Sequence, residues 1–278
     1  MFDLEPVTRY RLQRPPLVQA LGQVRYPVRA RLQTLEGIAP VQDELAEVFP
    51  YMEQQNVQQV SLTIGQGGPS SKSQITQTWR FTDDNGWSLD VGPDTANLAI
   101  GPEYGNFKEF ESRFRSVVAA LASNGGVNRC DRLGLRYVDF APIPSANEHA
   151  WKEWFRPEIT GWSATNLIRG DTRTETSLTQ TQLAASPTDE LAGPPVDIQA
   201  TIRHGFVPAN AMMPGVLPGQ IDSPAFLLDV DLFVDGHQPF DATELTRQIG
   251  VLHDQIDRFF RWALAPGGEE YFGLEEIT

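Results

Sequence analysis

A single cysteine, Cys130, leaves the 278-residue chain unable to form an internal disulfide, and no zinc ribbon or cysteine-held cluster can be built from it. Histidine is nearly as scarce. His149, His204, His237 and His253 lie far apart, and no two have the i, i+4 spacing that sets two metal ligands on one helix face. Basic residues are outnumbered, with 22 Lys and Arg against 36 Asp and Glu, which gives a formal charge of −14. Phosphate backbones and anionic lipid heads repel such a chain, so direct binding of nucleic acid or of a membrane surface is not expected. The best apolar run, Pro224 to Val234, is interrupted by Asp229 and Asp231 and falls far short of the ~20 residues of a spanning helix. The opening residues, Met1-Phe2-Asp3-Leu4-Glu5-Pro6, carry no apolar core of a secretory signal. Together these features predict a cytoplasmic protein.

Familiar catalytic signatures are missing as well. The glycine-rich piece Ile64-Gly65-Gln66-Gly67-Gly68-Pro69 lacks the Gly-Lys-Ser/Thr ending of a phosphate loop and reads as part of a surface loop over Gly65 to Ser71. No Gly-x-Ser-x-Gly occurs, and Gly161-Trp162-Ser163-Ala164 lacks the strand-to-helix turn of a nucleophile elbow. Cys130 has Arg129 and Arg132 nearby, which favour a thiolate, but Asp131 opposes them and a packed thiol is expected. Trp79, Trp87, Trp151, Trp154, Trp162 and Trp262 lie in segments with few cations, so they read as core and interface mass rather than as a stacking platform for bases.

Periodicity is clear. Leu17 to Val28 reads as a strand in which Pro27 marks an edge position or the strand's end, and Val41, Leu45, Val48 and Phe49 form a helical stripe before Pro50. Val60, Leu62 and Ile64 alternate. Thr78 to Phe81 and Trp87 to Val91 flank Asp83-Asp84-Asn85-Gly86, a hairpin signal, and Asn97 to Ile100 adds another strand. Asn106 and Glu109 cap a helix striped by Phe107, Phe110, Phe114, Val117, Val118 and Leu121 and stopped by Asn124-Gly125-Gly126. Leu133, Leu135 and Tyr137 then alternate with Arg132, Gly134 and Arg136.

Further on, Trp151, Trp154 and Phe155 mark a short helix ended by Pro157. Strands are expected over Thr172 to Leu183, Val196 to Ile202 and Phe226 to Val234, with a loop from Val207 to Ser223. Asp241 and Glu244 open the strongest helix, striped by Leu245, Ile249, Leu252, Ile256, Phe259, Phe260 and Leu264 and ended by Pro266-Gly267-Gly268. Strand runs ending in a long helix, without parallel strand–helix alternation, predict an α+β fold of antiparallel sheets covered by long amphipathic helices. The division expected is an N-terminal half, 1–145, and a C-terminal half, 146–278, or one interleaved domain. The halves share an order of elements and no motif, which leaves a pseudo-repeat open.

Two charged strands carry the candidate site. In Leu228-Asp229-Val230-Asp231-Leu232-Phe233-Val234-Asp235, the residues Asp229, Asp231 and Asp235 share one strand face, where carboxylates can hold Mg²⁺ or a basic partner. Arg132 and Arg136 share a face with Gly134 between them, and two guanidinium forks can grip a carboxylate or phosphate. The alternative is structural: the arginines pair with Asp229 and Asp231 inside the fold. No catalytic residue, metal ligand or cofactor site is assigned.

Pro15-Pro16-Leu17-Val18-Gln19-Ala20 leading into Val24-Arg25-Tyr26, the strand Arg132-Leu133-Gly134-Leu135-Arg136-Tyr137-Val138-Asp139, and Leu228-Asp229-Val230-Asp231 before a helix with Leu252-His253, Phe259 and a late Phe272-Gly273 resemble a family of sporadically distributed bacterial and archaeal proteins of about this length. An Asn commonly follows the Tyr-hydrophobic pair in that family, where this chain has Asp139. The resemblance implies a prokaryotic protein from mobile-element or defence-linked genes and offers no catalytic residue to carry over.

The leading expectation is therefore a non-enzymatic, acidic, cytoplasmic binding or regulatory protein, a subunit of a mobile-element, defence or toxin-neutralising system, with a basic protein as partner and oligomeric state open. The alternative is a sensor or Mg²⁺-dependent enzyme for a phosphorylated or carboxylated small molecule, using Arg132 and Arg136 with Asp229 and Asp231. Nucleic-acid action would need a partner to supply the positive charge.

Overall fold

The computed structural model describes residues 1–65, 68–165, 167, 172, 174–184, 198–213 and 221–277, with the backbone alone for 57–65 and 68–75. In chain order they form β1 (Tyr10–Leu12), β2 (Leu17–Arg25), α1 (Leu35–Leu45), β3 (Tyr51–Gly65), β4 (Gly68–Thr82), β5 (Trp87–Val91), β6 (Thr95–Ile100), α2 (Phe107–Ser123), β7 (Arg129–Pro142), α3 (Trp151–Trp154), α4 (Pro157–Thr160), β8 (Thr179–Ala184), β9 (Ile198–Val207), β10 (Ala225–Pro239), α5 (Ala242–Ala263), α6 (Pro266–Phe272) and β11 (Leu274–Glu276). Antiparallel sheets with amphipathic helices make this an α+β protein, as the patterning predicts. The chain divides into two compact units. One takes Met1–Ala20, Gly134–Val234 and Gly250–Thr278, and the other Leu21–Leu133 and Asp235–Ile249, so each draws on both 1–145 and 146–278.

In the second unit the strand order is β3-β4-β5-β6-β2-β7-β10. The Asp83 turn forms as its sequence predicts. Asp83 Oδ1 accepts the amides of Asn85 (2.8 Å) and Trp87 (3.0 Å), and its other oxygen meets Arg113 of α2 at 3.0 Å. That guanidinium lies 4.6 Å from the Trp87 ring centroid, so one aspartate ties a turn to a helix. The α2 cap also forms, with the Asn106 side chain accepting the Glu109 amide at 3.1 Å. Phe110, Phe114, Val117, Val118 and Leu121 are buried, each contributing roughly 1.5–3 kcal/mol by leaving water. Asp241 accepts the Glu244 amide at 2.8 Å and so opens α5 at the predicted place.

In the first unit the order is β2-β7-β10-β9-β8, with a separate β1–β11 pair. Alternate residues of β10, Phe226, Leu228, Val230 and Leu232, are buried, as are Leu252, Ile256 and Phe260 of α5. Phe155 stacks on Phe226 at 4.7 Å, and Trp154 on Tyr271 at 4.2 Å. The N-terminus is pinned to α5: Phe2 stacks on Phe259 at 4.9 Å, and its amide donates to Gln255 Oε1 at 2.9 Å.

Several local expectations need correction. The loop expected over Gly65 to Ser71 is instead the end of a long hairpin: β3 and β4 pair through to Gly65↔Gly68, and residues 66–67 lie outside the described residues. Glycine-rich composition suits a tight hairpin link as well as a loop, and only the pairing separates the two. Pro157 and Pro266 do not merely follow helices; each sits at the first turn of the next one, where its missing N–H costs nothing. The strand expected from Thr172 begins only at Thr179, and Val196 lies outside the described residues.

One glycine governs how the segment before β8 is laid down. Gly205 of β9 has φ +149°, and a Cβ there would sit 1.8 Å from the Ser177 carbonyl oxygen. Ser177 in turn donates its amide to the Phe206 carbonyl at 2.9 Å, so that segment runs directly over the glycine. Gly205→Ala is expected to cost several times more stability than Gly161→Ala, whose φ of +69° meets open space and costs about 1 kcal/mol. Urea denaturation midpoints at unchanged slope check this; equal midpoints for the two variants would refute it.

Candidate functional site

The predicted charged strands meet in the first unit. Strand register sets Gln180 of β8 opposite Arg203 of β9, and Arg203 opposite Asp229 of β10. Asp229 is fully buried. Arg136 of β7 grips it with both prongs of the fork, Nε to Oδ1 at 2.7 Å and Nη2 to Oδ2 at 2.8 Å, while Arg203 Nη1 reaches Oδ2 at 2.9 Å. Arg203 Nε donates onward to Gln180 Oε1 at 2.7 Å. A carboxylate removed from water is tolerable only with such directed counter-charge. The Arg136 fork is thereby spent inside the fold, the structural alternative. Asp231 is half-buried in the same unit, whereas Arg132 and Asp235 belong to the other, and none of these three is free. Arg203 escaped the sequence reading, although its place after the alternating Ile198, Ala200 and Ile202 puts it on the opposite face from them.

Cys130 is buried, its Sγ donates to the Arg132 carbonyl at 3.2 Å, and burial pushes its pKa up to about 12, so it is a packed thiol. Among the described residues no group of three or more His, Cys, Asp or Glu is placed to hold a metal ion. None of the described helices is long and apolar enough to cross a membrane.

Buried ionisable groups gather on α5 and β7 of the first unit. The Tyr137 hydroxyl and His253 Nδ1 share a hydrogen bond of 3.0 Å, and Tyr10 donates to Asp257 Oδ1 at 2.7 Å. Asp139 is buried with neither a hydrogen bond nor an ion pair among the described residues. Burial, with the Asp229 charge second, pushes its pKa up to about 8, so it holds a proton at neutral pH. Burial pushes His253 down to about 4 and also raises Asp257.

A cavity of about 760 Å³ opens in the same unit, and sequence reasoning missed it. Trp151 and Phe206 are part of its wall, with Pro144, Pro208 and Pro224. Trp151 is 2% exposed; it stacks on Phe226 at 5.5 Å and tilts against Phe206 at 5.7 Å. Phe206 and Phe226 face one another across β9 and β10, so the ladder itself sets this aromatic base. The polar lining includes Glu148, His149 and Glu175, all exposed, half-buried Lys152, and Thr174. Thr174 Oγ1 is buried and has no hydrogen-bond partner. The signal for this site was faint: a tryptophan expected as core, and prolines next to strand ends. Of the six tryptophans, Trp79, Trp87, Trp151 and Trp154 are buried, while Trp162 is 72% exposed.

Two outcomes follow from the buried charges. Asp229→Asn removes the carboxylate that two half-buried guanidiniums share and is expected to lower stability by about 3–5 kcal/mol, read from the urea midpoint. For Asp139, the native state keeps a proton that the unfolded chain loses above about its ordinary 3.8, so stability falls by up to about 1.4 kcal/mol per unit as pH rises toward 8. His253 acts oppositely between about 4 and its ordinary 6.5, where the unfolded chain binds the extra proton. The net loss is therefore expected between about pH 6.5 and 8, and Asp139→Asn should flatten it; a wild-type midpoint constant over that interval would refute the assignment. No protein-family model matches the chain and no curated protein matches it, so what the site does rests on its own geometry.

Proposed function

We propose that this is a non-enzymatic binding protein of the cytoplasm that takes an apolar small molecule into the Trp151 cavity. The observation that carries the reading is the cavity itself, about 760 Å³ with an aromatic and proline wall and a buried Thr174 hydroxyl that lacks a partner. Pockets for small ligands are of this size and character, mainly apolar with a few polar groups to fix orientation. Binding is favoured over turnover because the acidic and imidazole groups, Glu148, His149 and Glu175, lie at the exposed rim rather than at the apolar wall. The sensor reading made from the sequence, for a phosphorylated or carboxylated small molecule on the Arg132/Arg136 and Asp229/Asp231 faces, is thus replaced by an apolar ligand in this cavity. A second reading, capture of a basic protein partner in a prokaryotic mobile-element, defence or toxin-neutralising system, is supported by the charge of −14, which steers cations toward the surface.

The neutral probe 2-naphthamide tests the cavity by isothermal titration calorimetry. Wild type is expected to bind it with a single site, and Ala209→Trp, which fills the cavity from its wall, to lose at least tenfold in affinity at an unchanged melting temperature. Should Ala209→Trp unfold, Ser145→Phe at the exposed side of the lining serves instead. Absence of binding to wild type by this amide and by the matching acid would overturn the reading.

A further inference from the structure

Resting on the cavity reading, we infer that the cavity is built for an apolar organic acid, one carboxylate on a ring-bearing body, with Lys152 and Thr174 as the groups that receive the carboxylate. The ring-bearing body follows from the wall. Phe206 and three prolines, backed by the buried Trp151, present flat, rigid apolar surfaces that lose little entropy when a flat ligand is laid against them.

The charge follows from an asymmetry in depth. Lys152 is half-buried, its Nζ lies 5.8 Å from the Trp151 ring centroid, and it makes no ion pair among the described residues. The two glutamates of the lining, Glu148 and Glu175, are exposed, so water and salt screen them where they stand. A charge nearer the apolar wall acts through a lower effective dielectric and counts for more per ångström than one at the rim. The place over Trp151 that a cationic ligand would seek is already taken by the lysine's own ammonium.

Thr174 supplies the second constraint. Its hydroxyl is shut from water without a partner, and a turn of χ1 to another staggered rotamer of this lining residue would offer it to an acceptor in the cavity. A carboxylate has two oxygens and answers an ammonium and a hydroxyl donor at once. An amine would leave the hydroxyl able only to accept and would set two cations together.

Calorimetry with 2-naphthoic acid, 2-naphthamide and 2-naphthylmethylamine decides. The acid is expected to bind at least tenfold more tightly than the amide, about 1.4 kcal/mol, and the amine least tightly. Lys152→Gln should weaken the acid far more than the amide and bring the two to equal affinity, and added salt should weaken only the acid. Equal binding of acid and amide by wild type, or tightest binding by the amine, overturns the assignment and leaves the apolar cavity standing. Failure of all three to bind removes both. A Lys152→Gln protein that still prefers the acid tenfold overturns the role given to the lysine.

Discussion

A carboxylate with no exposure has to be answered by charge, and in this protein that requirement fixes strand register. Asp229 faces Arg203 across β10 and β9, Arg203 faces Gln180 across β9 and β8, and Arg136 of β7 closes on Asp229 from another strand. Side chains in a sheet alternate with period two, so a slip of one residue in β10 would carry Asp229 to the opposite, apolar face and strand both guanidiniums. Hydrophobic alternation alone is more forgiving, since Phe226, Leu228, Val230 and Leu232 would look alike after a slip of two. The charged row removes that degeneracy in one direction, because a slip of two that way sets Leu227 opposite Arg203, whereas the other way sets another carboxylate, Asp231, there.

The register chosen on one face determines what the other face offers. With Asp229 against Arg203, Phe226 falls against Phe206, and Trp151 packs on that pair. Gly205 then matters for two reasons that share one backbone. Its missing Cβ admits the Ser177 carbonyl, and the same segment, three residues earlier, brings Thr174 into the cavity lining. The buried ion pair and the cavity are thus opposite faces of one set of strand pairings.

How far the sequence foretold this depends on the range of the interaction. Caps and turns act over three or four residues, and they form where the sequence places them: Asn106 and Asp241 at helix starts, Asp83 through Gly86 at the β4–β5 turn. The alternation in β10 identified which residues share the face of Asp229, but not that both faces are buried from Ala225 to Val230. The long β3–β4 hairpin was hidden because polar Gln, Ser and Gly dominate it, and polar composition imitates a loop until a partner strand is known. The interleaving of the two units rests on pairings between residues far apart in the chain. The cavity was least legible of all. Its wall comes from residues 143–152, 174–176, 206–209 and 223–224, none of which carries a motif, and a hollow is a property of what several segments fail to fill.

Charge in the first unit is sorted by whether a partner or water is within reach. Asp229 is held by two guanidiniums; Asp139 lies close enough to feel Asp229 but has no ion pair of its own among the described residues, so it keeps a proton. Ionising both would place two negative charges in the same low-dielectric region against the cations Asp229 already uses. Lys152 has neither a carboxylate partner, as Asp229's arginines do, nor full burial, as Asp139 has. Water reaches it on one side, and on the other it stands beside a wall that water does not wet well. An ammonium in that position is incompletely compensated, held by solvent on one side and by the Trp151 π-face on the other. An anion arriving from solution with an apolar body completes it on the side the protein leaves open, and the same arrival covers the wall. That coupling of one open charge to one uncovered apolar surface distinguishes the cavity from the charged row, where every fork already has its carboxylate.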